Sequence, residues 1–125
     1  MEIYSGIDIV DIRRFERTLA RYGERFTERI FTGKELAAVR GRRKESFYLS
    51  VSFSFKEAVW KAMPEKMQKD FYFRDIEILW KRRKPSVTLK GEQNPPGLAF
   101  HYYTTEKHAV TTAIFISSEH RRKEQ

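Results

Sequence analysis

The sequence predicts an α+β fold, a single domain in which one antiparallel sheet packs against a long helix. In the first half of the chain, apolar residues recur at the spacing of helix faces, and Pro64 ends the longest such segment. In the second half, apolar residues alternate with polar ones, which is typical of strands with one buried face. With 125 residues and 40% hydrophobic content, the chain has the material for one domain and one modest core.

The first half begins with a strand that is followed by two helices. Residues 2–10 form an apolar run typical of a strand, and Asp11 can cap a helix that runs to about Tyr22. The predicted core face of this helix consists of Ile12, Phe15 and Leu19, which Tyr22 can extend. Residues 32–35 have the spacing of a capping box, so they predict a short helix that continues to about Arg40.

The longest helix is predicted from about Ser46 to Met63. A polar connection at residues 41–45 precedes it, and Pro64 follows it because proline cannot continue a helix. Its predicted core stripe consists of Tyr48, Val51, Phe55, Val59 and Ala62.

Three or four strands are predicted in the second half. Their alternating residues are Ile76, Ile78 and Trp80; Val87 and Leu89; Leu98, Phe100 and Tyr102; and Val110, Thr112, Ile114 and Ile116. Residues 94–97 and residues 104–107 predict turns. No linker or repeat divides the chain, so the predicted domain spans residues 1–125, with a frayed basic tail at residues 120–125.

Charge and cysteine content narrow the classes of function. A net charge of +8 favours an anionic partner, such as a nucleic acid, an anionic lipid, an acidic protein or a polyphosphate ligand. The absence of cysteine excludes disulfides and zinc–thiolate sites, and it permits a reducing cytoplasm, which is the expected location. No apolar run reaches the length of a membrane span, and the N-terminus lacks the pattern of a signal peptide.

Asp8 and Glu57 are candidate ligands of a hard cation. Asp8 lies in the apolar run of the first strand, where an acid is costly unless a positive group pairs with it. Glu57 precedes Lys61 by one helical turn, so these two side chains share a helix face. Two carboxylates that converge beside a lysine can hold an oxygen-preferring cation and a phosphate together. Taken alone, each feature has a simpler interpretation, namely a helix cap for Asp8 and an exposed ion pair for the other two.

Two motifs and the segments around them carry a family resemblance. The first motif is Gly6-Ile7-Asp8-Ile9-Val10-Asp11-Ile12, and the second is Phe55-Lys56-Glu57-Ala58 followed by Lys61-Ala62. Further matching segments are residues 25–32, 35–36, 75–78 and 84–89. This ordered set covers nearly the whole chain, and it resembles the holo-acyl-carrier-protein synthases, the small bacterial phosphopantetheinyl transferases.

The resemblance implies an activity, a cofactor and an assembly. Members of the family act in fatty acid biosynthesis by moving 4′-phosphopantetheine from coenzyme A to a serine of an acyl carrier protein, which releases adenosine bisphosphate. Their residues matching Asp8 and Glu57 hold magnesium, and the one matching Lys61 contacts the reacting phosphate. The expected catalytic residues are therefore Glu57, as a candidate base for the serine proton, and Lys61. The family forms trimers with active sites between subunits, so a homotrimer is expected here.

The same resemblance assigns roles to basic residues outside this centre. The family docks the acidic carrier protein on the first helix, so Arg13 and Arg14 are the expected carrier-binding residues. Arg43 and Lys44 precede the long helix, where relatives have a basic stretch near the coenzyme phosphates. These two and Lys61 are the expected coenzyme-binding residues, although basic residues at such positions are commonly solvated without a partner.

Three departures from the pattern of relatives fall in the expected coenzyme site. Ser52 stands where relatives have an arginine, Thr104 where they have a histidine, and residues 63–70 lack the glycine of their loop. His101 can replace the missing histidine only if the turn shifts register. We expect weaker coenzyme A binding unless the cations at residues 42–44 compensate, and we expect Ser52→Arg to strengthen it.

Two alternatives remain open from the sequence alone. A degenerate relative would form the trimer and bind a carrier or nucleotide without efficient transfer. A basic nucleic-acid-binding module would explain the charge and the aromatic residues around the long helix. Nucleic acid is the less favoured partner because no recognised nucleic-acid motif is present.

Overall fold

The computed structural model describes residues 1–117, so the predicted tail at residues 120–125 lies outside the described residues. The helices are α1 (Ile12–Ile30), α2 (Gly33–Val39), α3 (Glu45–Lys61) and α4 (Glu65–Gln68). The strands are β1 (Glu2–Asp11), β2 (Ile76–Lys81), β3 (Lys84–Leu89), β4 (Glu92–Gln93), β5 (Leu98–Thr104) and β6 (His108–Ser117). None of the helices within residues 1–117 is long and apolar enough to cross a membrane.

The strands form two antiparallel sheets of three strands, in the orders β1-β6-β5 and β2-β3-β4. The long helix α3 contacts strands of both sheets, which confirms the predicted α+β class. The β-structure differs from the prediction because it is divided into two sheets and has five strands after the helices. Alternation indicates that a segment is a strand but not which strands are its neighbours, so the sequence did not reveal this division.

Helix α1 begins where it was predicted to begin but extends further. The Asp11 carboxylate accepts a hydrogen bond from the Arg14 amide at 3.0 Å, which confirms the helix cap. Gly23 then interrupts the helix with φ 62° and ψ −145°, directly after the predicted end at Tyr22. Glycine adopts such a positive φ readily, and a second helical segment continues beyond Gly23 to Ile30. Tyr22 itself is exposed and does not extend the core face.

Helices α2 and α3 form largely as predicted. The capping box at the start of α2 is confirmed, because the Thr32 hydroxyl accepts from the Glu35 amide and the Glu35 carboxylate accepts from the Thr32 amide. The core stripe of α3 is fully buried at Val51, Phe55, Val59 and Ala62. Tyr48, the first residue of that stripe, is half-buried. The helix ends at Lys61, shortly before Pro64.

The predicted alternation on β6 is present, but its bulky residues face away from α3. The inward-facing residues are the smaller Ala109, Thr111 and Ala113, which are buried. The outward-facing residues are Val110, Thr112, Ile114 and Ile116. Small inner residues let the backbone of α3 approach the sheet closely. Because both faces of this sheet are largely apolar, alternation alone did not identify the core face.

Helix α3 crosses β1 at Gly6, where no space remains for a side chain. A Cβ atom at this glycine would lie 2.1 Å from the Ala58 carbonyl oxygen and 2.9 Å from the Lys61 Cβ. This contact sets the distance between β1, which carries Asp8, and α3, which carries Glu57.

Gly6→Ala should lower the free energy of unfolding by about 1–3 kcal/mol, because α3 must move away from β1 to admit the methyl group. Urea denaturation measures this change. The matched control is Gly33→Ala at the start of α2, where an added Cβ would meet nothing within 4 Å. If both alanine variants unfold at the same urea concentration, the close approach at Gly6 does not limit the packing.

Candidate active site

Strand β1 and helix α3 bring Asp8 and Lys61 into contact. Asp8 lies on the face of β1 that also carries Gly6, against α3. Lys61 Nζ lies 3.2 Å from Asp8 Oδ1 and donates a second hydrogen bond to the Ile7 carbonyl oxygen at 3.2 Å. Lys61 is therefore the positive group that an acid in an apolar strand requires.

The Asp8–Lys61 pair is open to solvent on one side. The Asp8 side chain is 15% exposed and the Lys61 side chain is 45% exposed. Such a partly exposed pair contributes at most about 1 kcal/mol to stability. Its exposure makes Asp8 Oδ1 and the lysine ammonium accessible to a ligand from solvent.

Glu57 is the second carboxylate of the site, half-buried on α3 four residues before Lys61. Burial raises the pKa of Glu57, the negative charge of Asp8 raises it further, and the charge of Lys61 opposes both effects. The influence of Asp8 on Glu57 means that the two carboxylates lie within electrostatic reach of each other. A bound cation would relieve this repulsion.

The donor set of the site fits magnesium. Both side chains supply carboxylate oxygens, and Mg²⁺ commonly takes one or two such ligands and completes its shell with water and phosphate oxygens. Within residues 1–117, no group of three or more His, Cys, Asp or Glu side chains could hold a metal ion. A metal bound by Asp8 and Glu57 would therefore take its remaining ligands from water, some of which substrate oxygens can replace.

Comparison with known proteins identifies the family. A family model described as the 4′-phosphopantetheinyl transferase superfamily matches residues 5–113, a range that contains Asp8, Glu57 and Lys61. The chain belongs to this superfamily.

Two relatives named holo-[acyl-carrier-protein] synthase match nearly the whole of this transferase. The one from Parvibaculum lavamentivorans is 36% identical over 128 aligned positions, which cover 94% of this chain and 96% of the relative. The one from Rhizobium meliloti is 36% identical over 126 positions, which cover 93% of this chain and 91% of the relative. These matches confirm a phosphopantetheinyl transferase of the holo-acyl-carrier-protein synthase type.

Solved structures of the same kind of enzyme share the fold. A holo-(acyl-carrier-protein) synthase from Bacillus anthracis, in complex with CoA (3′,5′-ADP), superposes with a TM-score of 0.73 at 27% identity, covering 92% of this chain and 96% of that one. A holo-[acyl-carrier-protein] synthase from Helicobacter pylori, in complex with coenzyme A, superposes with a TM-score of 0.70 at 26% identity. This match covers 90% of this chain and 99% of that one. Both confirm the α+β fold of the phosphopantetheinyl transferase.

A buried ion pair in the second motif was missed by sequence reasoning. Lys56 Nζ lies 2.7 Å from Glu35 Oε1, and the two side chains are 0% and 1% exposed. Lys56 also donates to the carbonyl oxygens of Phe73 and Ile76, and Glu35 accepts from the Ile78 amide. The pair joins α3 to α2 and β2. The sequence signal that could have indicated this pair is the position of Lys56 beside the apolar stripe of α3.

The predicted coenzyme-binding residues Arg43 and Lys44 lie far from the carboxylates of the same chain. Glu57 follows Lys44 by 13 residues along α3, which corresponds to about 20 Å. Arg42 donates a hydrogen bond to the Arg82 carbonyl oxygen at 2.8 Å and so fixes this loop to the turn between β2 and β3. The phosphates of coenzyme A sit on one nucleotide and cannot span this distance. Within one chain, Arg43 and Lys44 therefore lie away from the Asp8 and Glu57 carboxylates.

Ser52 does not face the carboxylates. It is buried, and its hydroxyl accepts a hydrogen bond from the Trp80 indole nitrogen at 2.7 Å. An arginine at this position would have to break that bond and enter the core. The sequence-based expectation for Ser52→Arg is therefore corrected, since we now expect the variant to be destabilised and not to bind coenzyme A more tightly.

The other two departures also have a definite structure. Thr104 ends β5 opposite Ala109, and the β5–β6 register contains no shift that would bring His101 to its place. The glycine-free segment forms α4, which two hydrogen bonds hold to α3. The Trp60 indole nitrogen donates to the Gln68 carbonyl oxygen at 3.1 Å, and the Gln68 side-chain amide donates to the Trp60 carbonyl oxygen at 3.0 Å. This segment forms one wall of a groove of about 820 Å³ that none of the three site residues lines.

Arg13 and Arg14 are exposed at the start of α1, directly after the strand that carries Asp8. Arg14 and His108 line a hollow of about 510 Å³ at the end of β1. Further exposed arginines on α1 are Arg17, Arg21, Arg25 and Arg29. Both ion pairs found in the described part of the chain involve lysines, so no carboxylate there pairs with these arginines.

Proposed function

We propose that this phosphopantetheinyl transferase moves the 4′-phosphopantetheine group of coenzyme A to a serine of an apo acyl carrier protein, with magnesium as its cofactor. The observation that carries the proposal is the contact between β1 and α3, which places Asp8 beside Lys61 and within reach of Glu57. The names of the relatives support the acceptor, and the complex of the Bacillus anthracis enzyme with CoA (3′,5′-ADP) supports the donor.

Each site residue has a role that follows from its position. Asp8 and Glu57 would hold the metal, which when bound supplies positive charge to the pyrophosphate oxygens. Lys61 offsets the charge that develops on the leaving adenosine bisphosphate. Glu57 is the candidate acceptor of the serine proton, because it is the carboxylate on α3 that shares a helix face with Lys61. The serine oxygen forms the new bond to phosphorus as the bond to adenosine bisphosphate breaks.

The direct test is mass spectrometry of an apo carrier protein incubated with this chain, coenzyme A and magnesium. The carrier should gain the mass of one phosphopantetheine group, and the gain should disappear when the acceptor serine is replaced by alanine. Binding of carrier and coenzyme without any gain in mass would refute transfer and identify a degenerate relative.

The arginines on α1 are the proposed docking surface for the carrier. Arg14 lines the hollow at the end of β1, the strand that carries Asp8, and the remaining arginines extend along the helix. An acidic helix placed on this surface would meet six exposed arginines, which outnumber the three glutamates of α1, Glu16, Glu24 and Glu28. Charge complementarity of this kind mainly accelerates association.

Arg14→Glu should weaken carrier binding and slow association, with an effect that shrinks at high salt because the interaction is screened. Surface plasmon resonance at two salt concentrations measures the association rate. Lys34→Glu makes the same change of charge at an exposed position of α2, away from α1, and serves as the control. A loss of equal size at both salt concentrations, or in both variants, would contradict electrostatic docking by α1.

A homotrimer is the assembly that we propose, with its contacts on the outer face of the β1-β6-β5 sheet. The exposed bulky residues of this outer face are Ile3, Ile7, Ile9, Tyr103, Ile114 and Ile116. Only alternate residues of the strand segments 3–9, 99–103 and 110–116 point to this face. None of these outward-pointing residues is Lys, Arg, Asp or Glu, although 34% of the chain is charged. An uncharged apolar sheet face of this kind is typical of a subunit interface. The family resemblance supplies the number of copies.

Ile114→Lys should dissociate the assembly, because the charge would be buried at the interface. Sedimentation velocity measures the oligomeric state. Tyr72→Lys changes another exposed hydrophobic residue, outside the outer face, and should leave the assembly intact. Loss of transfer should accompany dissociation if Arg43 and Lys44 serve the site of a neighbouring copy. A folded Ile114→Lys variant that remains trimeric would exclude this face as the interface.

A further inference from the structure

A chain of two buried hydroxyl groups ends on Asp8. Ser54 Oγ lies 3.0 Å from Asp8 Oδ2 and 2.7 Å from Thr111 Oγ1. Ser54 and Thr111 are both buried with 0% exposure. Ser54 lies one helical turn before Glu57 on α3, and Thr111 is the residue of β6 directly opposite Asp8 in the β1–β6 register. Three elements therefore meet at this carboxylate.

The chemistry of the groups fixes the direction of these hydrogen bonds. An ionised carboxylate can only accept, so Ser54 must donate its single proton to Asp8 Oδ2. Ser54 Oγ is then available only as an acceptor for Thr111, so Thr111 donates to it. The chain runs Thr111 to Ser54 to Asp8, and the first bond polarises the second.

The hydroxyl chain and Lys61 hold different oxygens of Asp8. Ser54 holds Oδ2 on the buried side, and Lys61 contacts Oδ1 on the side that is open to solvent. With Oδ2 fixed, rotation of the carboxylate is restricted and Oδ1 stays directed toward Lys61. A carboxylate oxygen with a fixed direction is what a metal ligand requires.

We propose that Ser54 and Thr111 are positioning residues for Asp8 as a ligand of the catalytic cation. This inference rests on the proposed function, because it assigns Asp8 to the metal. The two hydroxyl groups contact neither substrate nor metal in this proposal. They hold the carboxylate in its binding orientation before the cation arrives, so that binding does not have to fix its rotation.

Ser50 on α3 and two substitutions of Thr111 provide matched comparisons. Ser50 is also fully buried on α3, but its hydroxyl donates to the Phe47 carbonyl oxygen within the same helix. Ser50→Ala therefore removes a buried hydroxyl from the same helix without affecting Asp8. At the other end of the hydroxyl chain, Thr111→Val removes only the hydroxyl, and Thr111→Ser keeps it.

The test measures metal binding and transfer separately. Free Mn²⁺ is followed by electron paramagnetic resonance as metal alone is added to the protein, and the Mg²⁺ concentration at half-maximal transfer is measured in parallel. Ser54→Ala and Thr111→Val should each weaken Mn²⁺ binding and raise the required Mg²⁺ concentration by about ten-fold to a hundred-fold. Transfer at saturating Mg²⁺ should fall much less, because the reacting groups are unchanged. Ser50→Ala and Thr111→Ser should bind Mn²⁺ like the unmodified chain.

Each outcome decides the proposal. If Ser54→Ala and Thr111→Val bind Mn²⁺ as tightly as Ser50→Ala, the hydroxyl chain only joins α3 to the sheet and the positioning role is refuted. If the unmodified chain transfers the group but Mn²⁺ binding is insensitive to Asp8→Asn, Asp8 is not a ligand and the inference fails with the metal assignment. If no carrier is modified under any condition, the proposed function fails. Equal losses in Thr111→Ser and Thr111→Val would trace the effect to packing instead of to the hydroxyl.

Discussion

Asp8→Asn and Glu57→Gln should each reduce phosphopantetheine transfer by on the order of a hundredfold or more while leaving the protein folded. Each change removes a negative charge from a ligand of the proposed cation while keeping the size of the side chain. Folding should survive because Asp8 and Lys61 form only a partly exposed pair and Glu57 is half-buried. The rate of holo-carrier formation, measured by mass spectrometry at several magnesium concentrations, gives the effect.

The control for the site variants is Asp70→Asn, which removes a carboxylate from an exposed position after α4. It should transfer at the rate of the unmodified chain. Circular dichroism should show the same secondary structure in all of these proteins. Unchanged transfer in either Asp8→Asn or Glu57→Gln would rule that residue out as a ligand, whereas an equal loss in Asp70→Asn would point to a general effect of charge.

Lys56→Met should lower the free energy of unfolding by about 3–5 kcal/mol, the largest stability effect that we expect in this chain. The substitution leaves the Glu35 carboxylate buried without its cation, and it also removes the donor to the carbonyl oxygens of Phe73 and Ile76. Because the pair joins α2, α3 and β2, the position of the helix that carries Glu57 should be disturbed as well. Urea denaturation near neutral pH measures the loss.

The loss in Lys56→Met should depend on pH in a definite direction. Burial already raises the pKa of Glu35 above its ordinary value of 4.5, and the charge of Lys56 opposes that rise. Without the lysine, the folded-state pKa rises further, so the folded protein binds a proton more readily than the unfolded chain does. The penalty should therefore be smallest below the unfolded pKa and should grow as the pH rises through the folded pKa. Urea denaturation at about pH 4 and about pH 8 compares the two regimes.

Two variants separate this effect from a general loss of a lysine. Lys69→Met removes an exposed lysine and should change the free energy of unfolding by less than about 0.5 kcal/mol. Adding Glu35→Gln to Lys56→Met removes the uncompensated charge, so the double variant should be more stable than Lys56→Met alone and should lose most of the pH dependence. A penalty that grows as the pH falls would show that Glu35 is not the titrating group.

The sequence predicted the features that depend on neighbouring residues. The Asp11 cap, the capping box at Thr32 and the buried stripe of α3 are each set by a few residues within two or three turns of helix. The ordered motifs were long enough to indicate the family, which the comparisons then confirmed. The lysine partner that Asp8 requires was expected from the cost of a lone acid in an apolar strand.

The tertiary structure alone decided which faces and which distant residues meet. Both faces of β1 and β6 carry apolar residues, and the close approach of α3 at Gly6 shows which face is the core. Ser54 and Thr111 are 57 residues apart, and their contact with Asp8 depends on the β1–β6 register and on the rotation of α3. Local patterns fix periodicity, whereas register and helix rotation are set by packing across the whole core, so the hydroxyl chain on Asp8 and the Lys56–Glu35 pair could be found only in the folded protein.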